Sequence, residues 1–140
     1  MSDTEMKRTG GCLCGAVRYE ATLSGGFVAC FCKMCQRWNA GAYFGTGTTK
    51  FDLTQGEEDV SVYKSSGWAE RAFCSKCGSN LYYFASKFGG HNIALGTLDD
   101  TSGLENSVRY FSDAHPEGLQ LAGEVKSLTT EELEKQMSAQ

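Results

Sequence analysis

No run of apolar residues in this sequence approaches the ~18 needed to span a bilayer, which excludes a helical membrane protein. Met1 to Thr9 is polar and has no apolar segment of the secretory kind, so the expected location is the cytoplasm. There is no surplus of positive charge. The formal net charge is −4, and a chain that grips nucleic acid or an anionic membrane usually presents a basic face; neither is an expected partner. No segment recurs at a solenoid period, which excludes a repeat array. Proline occurs once, at Pro116.

What is present describes an ordinary globular chain. Its 140 residues suit one domain, 41% are hydrophobic and 21% charged. A chain of this size can bury roughly two thirds of the surface it exposes when unfolded, enough for a true core. The 17 glycines punctuate short β-type runs, and the expected fold is mostly β. Strands are expected at 15–23, 27–31, 42–48, 51–53, 60–64, 68–73, 80–85, 91–98 and 107–111. Thr129-Thr130-Glu131-Glu132 carries a capping-box spacing, and its acidic residues suit a helix start. The expected organisation is a flexible lead-in over 1–9, a single zinc-binding β domain over 10–128, and a short C-terminal helix or tail over 129–140.

Seven cysteines dominate the chemistry. The number is odd, so a disulfide framework would leave one thiol over, and spacings of one or two residues are those of metal ligands. Cys12 and Cys14, read as i and i+2 of a strand, present both sulfurs to one side. Cys74-Ser75-Lys76-Cys77-Gly78 is the turn form of the same device, with Gly78 supplying the turn's backbone freedom. Two such pairs make the closed tetrahedral shell of structural zinc. The bland alternative is two pairs of buried free thiols. Cys30, Cys32 and Cys35 form C-x-C-x-x-C. Three protein ligands with a free fourth position describe catalytic zinc, whereas a fourth ligand from His91 or His115 would close the shell and make it structural. A redox role for Cys32-x-x-Cys35 lacks the surrounding βαβ pattern. Three thiolates leave such a zinc at about −1, poorly suited to water activation but suited to holding an external thiol as thiolate.

Three stretches carry a resemblance: Gly10-Gly11-Cys12-Leu13-Cys14-Gly15-Ala16-Val17-Arg18-Tyr19, Cys30-Phe31-Cys32-Lys33-Met34-Cys35-Gln36-Arg37, and Phe73-Cys74-Ser75-Lys76-Cys77-Gly78-Ser79-Asn80-Leu81. With Gly96-Thr97-Leu98-Asp99-Asp100 they resemble the glutathione-dependent formaldehyde-activating enzyme family, which includes centromere protein V. The resemblance implies a zinc-stabilised β fold similar to the zinc proteins that bind Rab GTPases. It implies structural zinc on Cys12, Cys14, Cys74 and Cys77, and catalytic zinc on Cys30, Cys32 and Cys35. The implied activity is that of a carbon–sulfur lyase, an S-(hydroxymethyl)glutathione synthase that adds glutathione to formaldehyde. Two departures stand out. Phe31 occupies a position where the family often has histidine, and His115-Pro116-Glu117-Gly118-Leu119-Gln120 lacks a tryptophan often found nearby.

Lys33 and Arg37 flank the inner motif and could attract a carboxylate of glutathione or stabilise an oxyanion, though solvated surface charge is their commoner role. Trp38, Tyr43, Trp68 and Tyr82 could line a pocket, though such aromatics are more often core. No residue stands out as a general base. Two other readings stay open: a non-catalytic zinc-stabilised binding module, and a lyase or hydrolase acting on another thiol adduct.

Overall fold

The structure, a computed structural model, describes residues 6–87 and 89–138. In chain order the elements are β1 (Met6–Gly11), β2 (Arg18–Leu23), β3 (Phe27–Cys30), α1 (Lys33–Asn39), β4 (Tyr43–Gln55), β5 (Val60–Lys64), β6 (Ala69–Cys74), β7 (Asn80–Ala85), β8 (His91–Ala94), β9 (Asn106–Tyr110), β10 (Lys126–Leu128) and α2 (Thr130–Ser138). The fold is mostly β, as expected, and the C-terminal helix is present. No helix among the described residues is long and apolar enough to cross a membrane. The chain divides into two compact units, one from residues 6–25 and 45–104, the other from 26–44 and 105–138.

The first unit is antiparallel. β2 lies between β1 and β4, β4 also pairs β8, and β8, β7, β6 and β5 follow in turn. Its core has two clusters. Val17, Ala72, Cys74 and Leu81 are almost wholly buried in one, with Phe51 and Leu53 packed against it. Tyr19, Leu23 and Ile93 are almost wholly buried in the other, with Met6 at its margin.

The family-like segment 96–100 ties β1 and β2 together. The Arg18 guanidinium holds the Asp99 carboxylate with both terminal nitrogens, and Thr9 Oγ1 donates to it at 2.6 Å. Arg8 donates to the carbonyls of Asp100 and Ser102 at 2.9 and 3.0 Å. Exposed ion pairs of this kind contribute about 0–1 kcal/mol each. Burial of the Tyr19 ring, whose hydroxyl meets Thr97 Oγ1 at 2.7 Å, contributes more. Gly10 is required underneath it: a Cβ there would stand 2.3 Å from the Tyr19 hydroxyl oxygen and 2.5 Å from the Thr97 carbonyl oxygen.

In the second unit β3 and β10 both pair β9 in parallel. α1 begins where Cys32 accepts the Cys35 N–H on its sulfur, and ends at Ala40 in the left-handed region with φ 56°. α2 begins with the capping box expected from sequence. Thr129 N–H donates to Glu132 Oε1 at 2.9 Å, and Glu132 N–H donates to Thr129 Oγ1 at 3.2 Å. Asp113 adds a second cap, accepting from Thr130 N–H at 2.7 Å and from its hydroxyl at 3.2 Å.

Four local expectations change. Residues 6–9 of the expected lead-in are strand, because Met6 packs on the core and Arg8 and Thr9 bond to 99–102; residues 1–5 lie outside the described residues. The expected turn between 48 and 51 is absent: β4 is one strand, paired to β2 along 48–55 and to β8 along 45–47. The expected strand 91–98 stops at Ala94 and gives way to a 3-10 turn at Leu95–Thr97. Helix α1 stands where no helix was expected, between the strands 27–31 and 42–48.

Candidate metal centres

Each unit gathers one set of sulfurs. Cys12 and Cys14 lie in the turn after β1, not on an extended strand. Gly15 N–H donates to the Cys12 carbonyl at 3.2 Å and Cys12 N–H to the Val17 carbonyl at 3.1 Å, closing that turn. Gly15 sits at φ 83°. Cys74 ends β6, and the turn to Cys77 closes through Gly78 N–H to the Cys74 carbonyl at 2.8 Å, with Gly78 at φ 79°. Here the expected need for glycine is met by a positive φ. Sulfur separations are 3.7 Å for Cys12–Cys14 and 3.9 Å for Cys14–Cys74. A tetrahedron of sulfurs about 2.3 Å from a zinc ion has edges of about 3.8 Å, so the four residues fit such an ion. All four ligand atoms lie within 4.8 Å of one another.

Hydrogen bonds from the chain surround this set. Val17 N–H donates to Cys12 Sγ at 3.3 Å. The Ser79 hydroxyl accepts from Leu13 N–H at 2.9 Å and lies 3.2 Å from Cys77 Sγ. Ser79 thus bridges the two cysteine turns. Its hydroxyl and N–H hold the Cys77 thiol down to about 5. At Cys14 a backbone bond from Ala16 acts to lower the thiol, but burial and the neighbouring sulfurs outweigh it and push it up to about 11. Ser79→Ala is expected to weaken zinc affinity at this set by about 10–100-fold, the usual effect of removing an outer-shell partner. Competition against a chromophoric chelator measures it. Unchanged affinity would make the bridge incidental.

The second set is Cys30, Cys32 and Cys35, again within 4.8 Å of one another. Cys30 ends β3, Cys32 caps α1, and the buried Cys35 lies in the helix's first turn. Cys30 and Cys32 therefore stand at a strand-to-helix junction. Cys35 N–H donates to Cys32 Sγ at 3.2 Å, the bond that starts the helix. The Cys32 and Cys35 sulfurs, together with burial, push the Cys30 thiol strongly up. Three sulfurs so close cannot all ionise without a cation among them, and this donor set fits a soft divalent metal. Among the described residues no histidine, aspartate or glutamate joins the three as a fourth ligand.

The histidines go elsewhere. His91 stacks on Phe51 with centroids 4.6 Å apart, and Tyr82 and Phe84 stand at 4.9 Å; burial there favours its neutral form. His115 packs edge-on against the buried Phe31, centroids 5.9 Å apart. Lys33 and Arg37 are exposed on α1, one turn apart. Trp38 packs on the buried Tyr43 in the second unit. Tyr82 is core in the first unit, and Trp68 lies there beneath the Lys87 ammonium at 5.8 Å. Two residues escaped the sequence reading. Ser79 was signalled by its place after C-x-x-C-G. Gln36 had no signal: its Nε2 donates both to the Phe31 carbonyl at 2.7 Å and to the Ala114 carbonyl at 2.9 Å.

These features define a small, mostly-β protein with two cysteine clusters that could each hold a metal ion, one of four sulfurs and one of three. The sequence profile of the family described as glutathione-dependent formaldehyde-activating enzyme matches residues 7–114, and the chain belongs to that family. An uncharacterized lyase of Schizosaccharomyces pombe is 28% identical over 130 residues, covering 90% of this chain and 93% of the relative. A putative glutathione-dependent formaldehyde-activating enzyme of Halomonas elongata is 31% identical over 85 residues, 54% of each chain. A crystal structure of a Rhodobacter sphaeroides protein shares the fold, with a TM-score of 0.56 at 20% identity over 86% of this chain and 99% of the other.

Proposed function

We propose that this protein is a zinc-dependent carbon–sulfur lyase working in the synthetic direction, joining the thiol of glutathione to formaldehyde. The observation that supports this reading best is the three-sulfur set with no fourth protein ligand among the described residues. Cys12, Cys14, Cys74 and Cys77 would hold a structural zinc, and Cys30, Cys32 and Cys35 a catalytic one. A zinc ion in the second set would favour the thiolate form of an incoming thiol at neutral pH.

The chain's own residues shape the rest. The Cys35 N–H bond fixes Cys32 at the head of α1, and Gln36 fixes the carbonyl between Cys30 and Cys32. Lys33 and Arg37 place two cations one helical turn apart beside the set, suited to a carboxylate of glutathione. Membership of the family and the description of the Halomonas elongata relative agree with a glutathione and formaldehyde chemistry, and the Schizosaccharomyces pombe relative is described as a lyase.

The test measures metal content and rate on one preparation. Two zinc ions per chain and an aldehyde-dependent loss of free glutathione above the spontaneous rate are the expected result. One firmly held zinc with no rate enhancement would favour a binding module. Two zinc ions with turnover of a different thiol adduct would keep the site and change the substrate.

A further inference from the structure

Strand β5 ends the sheet of the first unit. It pairs β6 on one side, and among the described residues no strand pairs the other. An open edge is a template for a further strand, and proteins usually blunt theirs. The edge of β1 is met by the 98–102 segment: Gly10 bridges Leu98, Asp99 N–H donates to the Thr9 carbonyl at 2.9 Å, and Arg8 donates to the carbonyls of Asp100 and Ser102. β10 has only three residues. β5 has neither protection. Its register with β6 runs unbroken from Val60 to Lys64, and it contains no proline. It exposes two large hydrophobic side chains in succession, Val62 at 46% and Tyr63 at 64%.

The bonds at its two ends show which backbone groups face outward. Ser65 N–H donates to the Ala69 carbonyl at 3.1 Å, and Ser75 N–H donates to the Asp59 carbonyl at 2.8 Å. Hydrogen-bonded pairs alternate along antiparallel strands, so both bonds assign residues 59, 61, 63 and 65 to the pairs bonded with β6. Val60, Val62 and Lys64 therefore turn their backbone groups away from β6. Of these, the Val60 N–H is taken by the Glu57 carbonyl. The Ser75 bond and the Lys76–Asp59 ion pair at 3.6 Å anchor the start of the strand to the Cys74–Cys77 turn.

We infer that β5 pairs antiparallel with β5 of a second copy of this chain, about a two-fold axis at Val62. In that register the outward groups match. Two bonds join Val62 to the partner's Val62. Each Lys64 N–H meets the partner's Val60 carbonyl, the group left free when Glu57 takes the Val60 N–H. The side chains match as well. Val62 covers the partner's Val62 on one face. On the other, Tyr63 stands opposite the partner's Ser61 and diagonal to the partner's Tyr63, within reach of an aromatic pair. The exposed Glu57 and Glu58 precede the strand and the exposed Lys64 ends it. Antiparallel pairing brings each lysine to the partner's acidic turn, whereas parallel pairing would set like charge against like. Four ladder bonds and a short apolar contact stand at the small end of interface sizes, so the dimer is reversible.

Sedimentation velocity of the zinc-loaded, reduced protein over a micromolar-to-millimolar series, with amide exchange at both ends of the series, tests this. A monomer–dimer equilibrium is expected. The Val62 and Lys64 amides should slow at high concentration, while those of Ser61 and Tyr63 are protected throughout. Val62→Lys sets two ammonium groups face to face and should leave only monomer, with wild-type circular dichroism and zinc content. Lys64→Glu reverses the sign of two cross-strand pairs and should weaken the dimer by about tenfold. Adding Glu58→Lys should restore it. A monomer at every concentration overturns the inference. So does a dimer that survives Val62→Lys, one that forms without slowing the Val62 and Lys64 amides, or one that the second charge reversal fails to restore. Should Val62→Lys lose its fold, the charge variants and the wild-type amide pattern decide.

Discussion

Replacing Cys77 by serine is expected to unfold the first unit while removing one of two bound zinc ions. The sulfur it removes belongs to a set that joins turns sixty residues apart in sequence, with Cys14 and Cys74 sulfurs in contact at 3.9 Å. Structural zinc sites of this kind contribute about 10–16 kcal/mol, against a total stability of about 5–15 kcal/mol for an ordinary domain. Losing much of that term leaves too little to hold the fold. The 3.2 Å contact between the Ser79 hydroxyl and the Cys77 sulfur is removed with that sulfur. Near-ultraviolet circular dichroism and metal analysis of the purified variant check this. A variant with wild-type dichroism and thermal midpoint would show that the four sulfurs do not carry the fold.

The second large effect is of the opposite kind. Cys35→Ser should leave the first unit folded and its zinc in place, and should abolish the second zinc together with activity. Cys35 is buried, but its structural bond is made by its backbone N–H to Cys32, which serine keeps. What serine loses is one of three soft donors, and two sulfurs with a hydroxyl hold zinc far more weakly than three thiolates. The expected outcome is a drop from two zinc ions to one, a glutathione–formaldehyde rate indistinguishable from the spontaneous one, and a near-wild-type unfolding transition for the first unit. Retained activity with one zinc would place the chemistry elsewhere. The two variants together separate a site that builds the protein from a site that acts.

Much of this was legible in the sequence because cysteine spacing is a local signal. The grouping into four and three follows from intervals of one and two residues, and the structure brings together the same two sets. Strands β5 and β7 and the capped start of α2 were equally local, set by alternation and by Thr129 and Glu132. What escaped depends on partners distant in the chain. α1 is only seven residues long and is started by a sulfur cap at Cys32, a residue type with no strong capping signature. β1 reads as polar because Lys7, Arg8 and Thr9 occupy it, and becomes a strand through β2 and the 99–102 segment. The Ser79 bridge and the Gln36 bridge span 66 and 78 residues to Leu13 and Ala114, so no window of sequence contains both ends. The substrate itself came from family resemblance and not from spacing: cysteine intervals define a ligand set, not what visits it.

The family-like residues also divide by role once the fold is known. Gly10, Arg18, Tyr19, Thr97 and Asp99 serve the β1–β2 corner and touch no sulfur set through the bonds described. Asp99 is held below the usual carboxylate range first by Arg18 and then by Thr9, which marks an anchored ion pair and not an acid–base group.

X-ray absorption at the zinc edge on the Cys77-intact, zinc-loaded protein, before and after glutathione, tests the central proposal most directly. The account predicts seven protein sulfurs shared between two zinc ions and an eighth sulfur on adding the thiol. A second zinc whose four ligands all come from the protein, unchanged by glutathione, would contradict it.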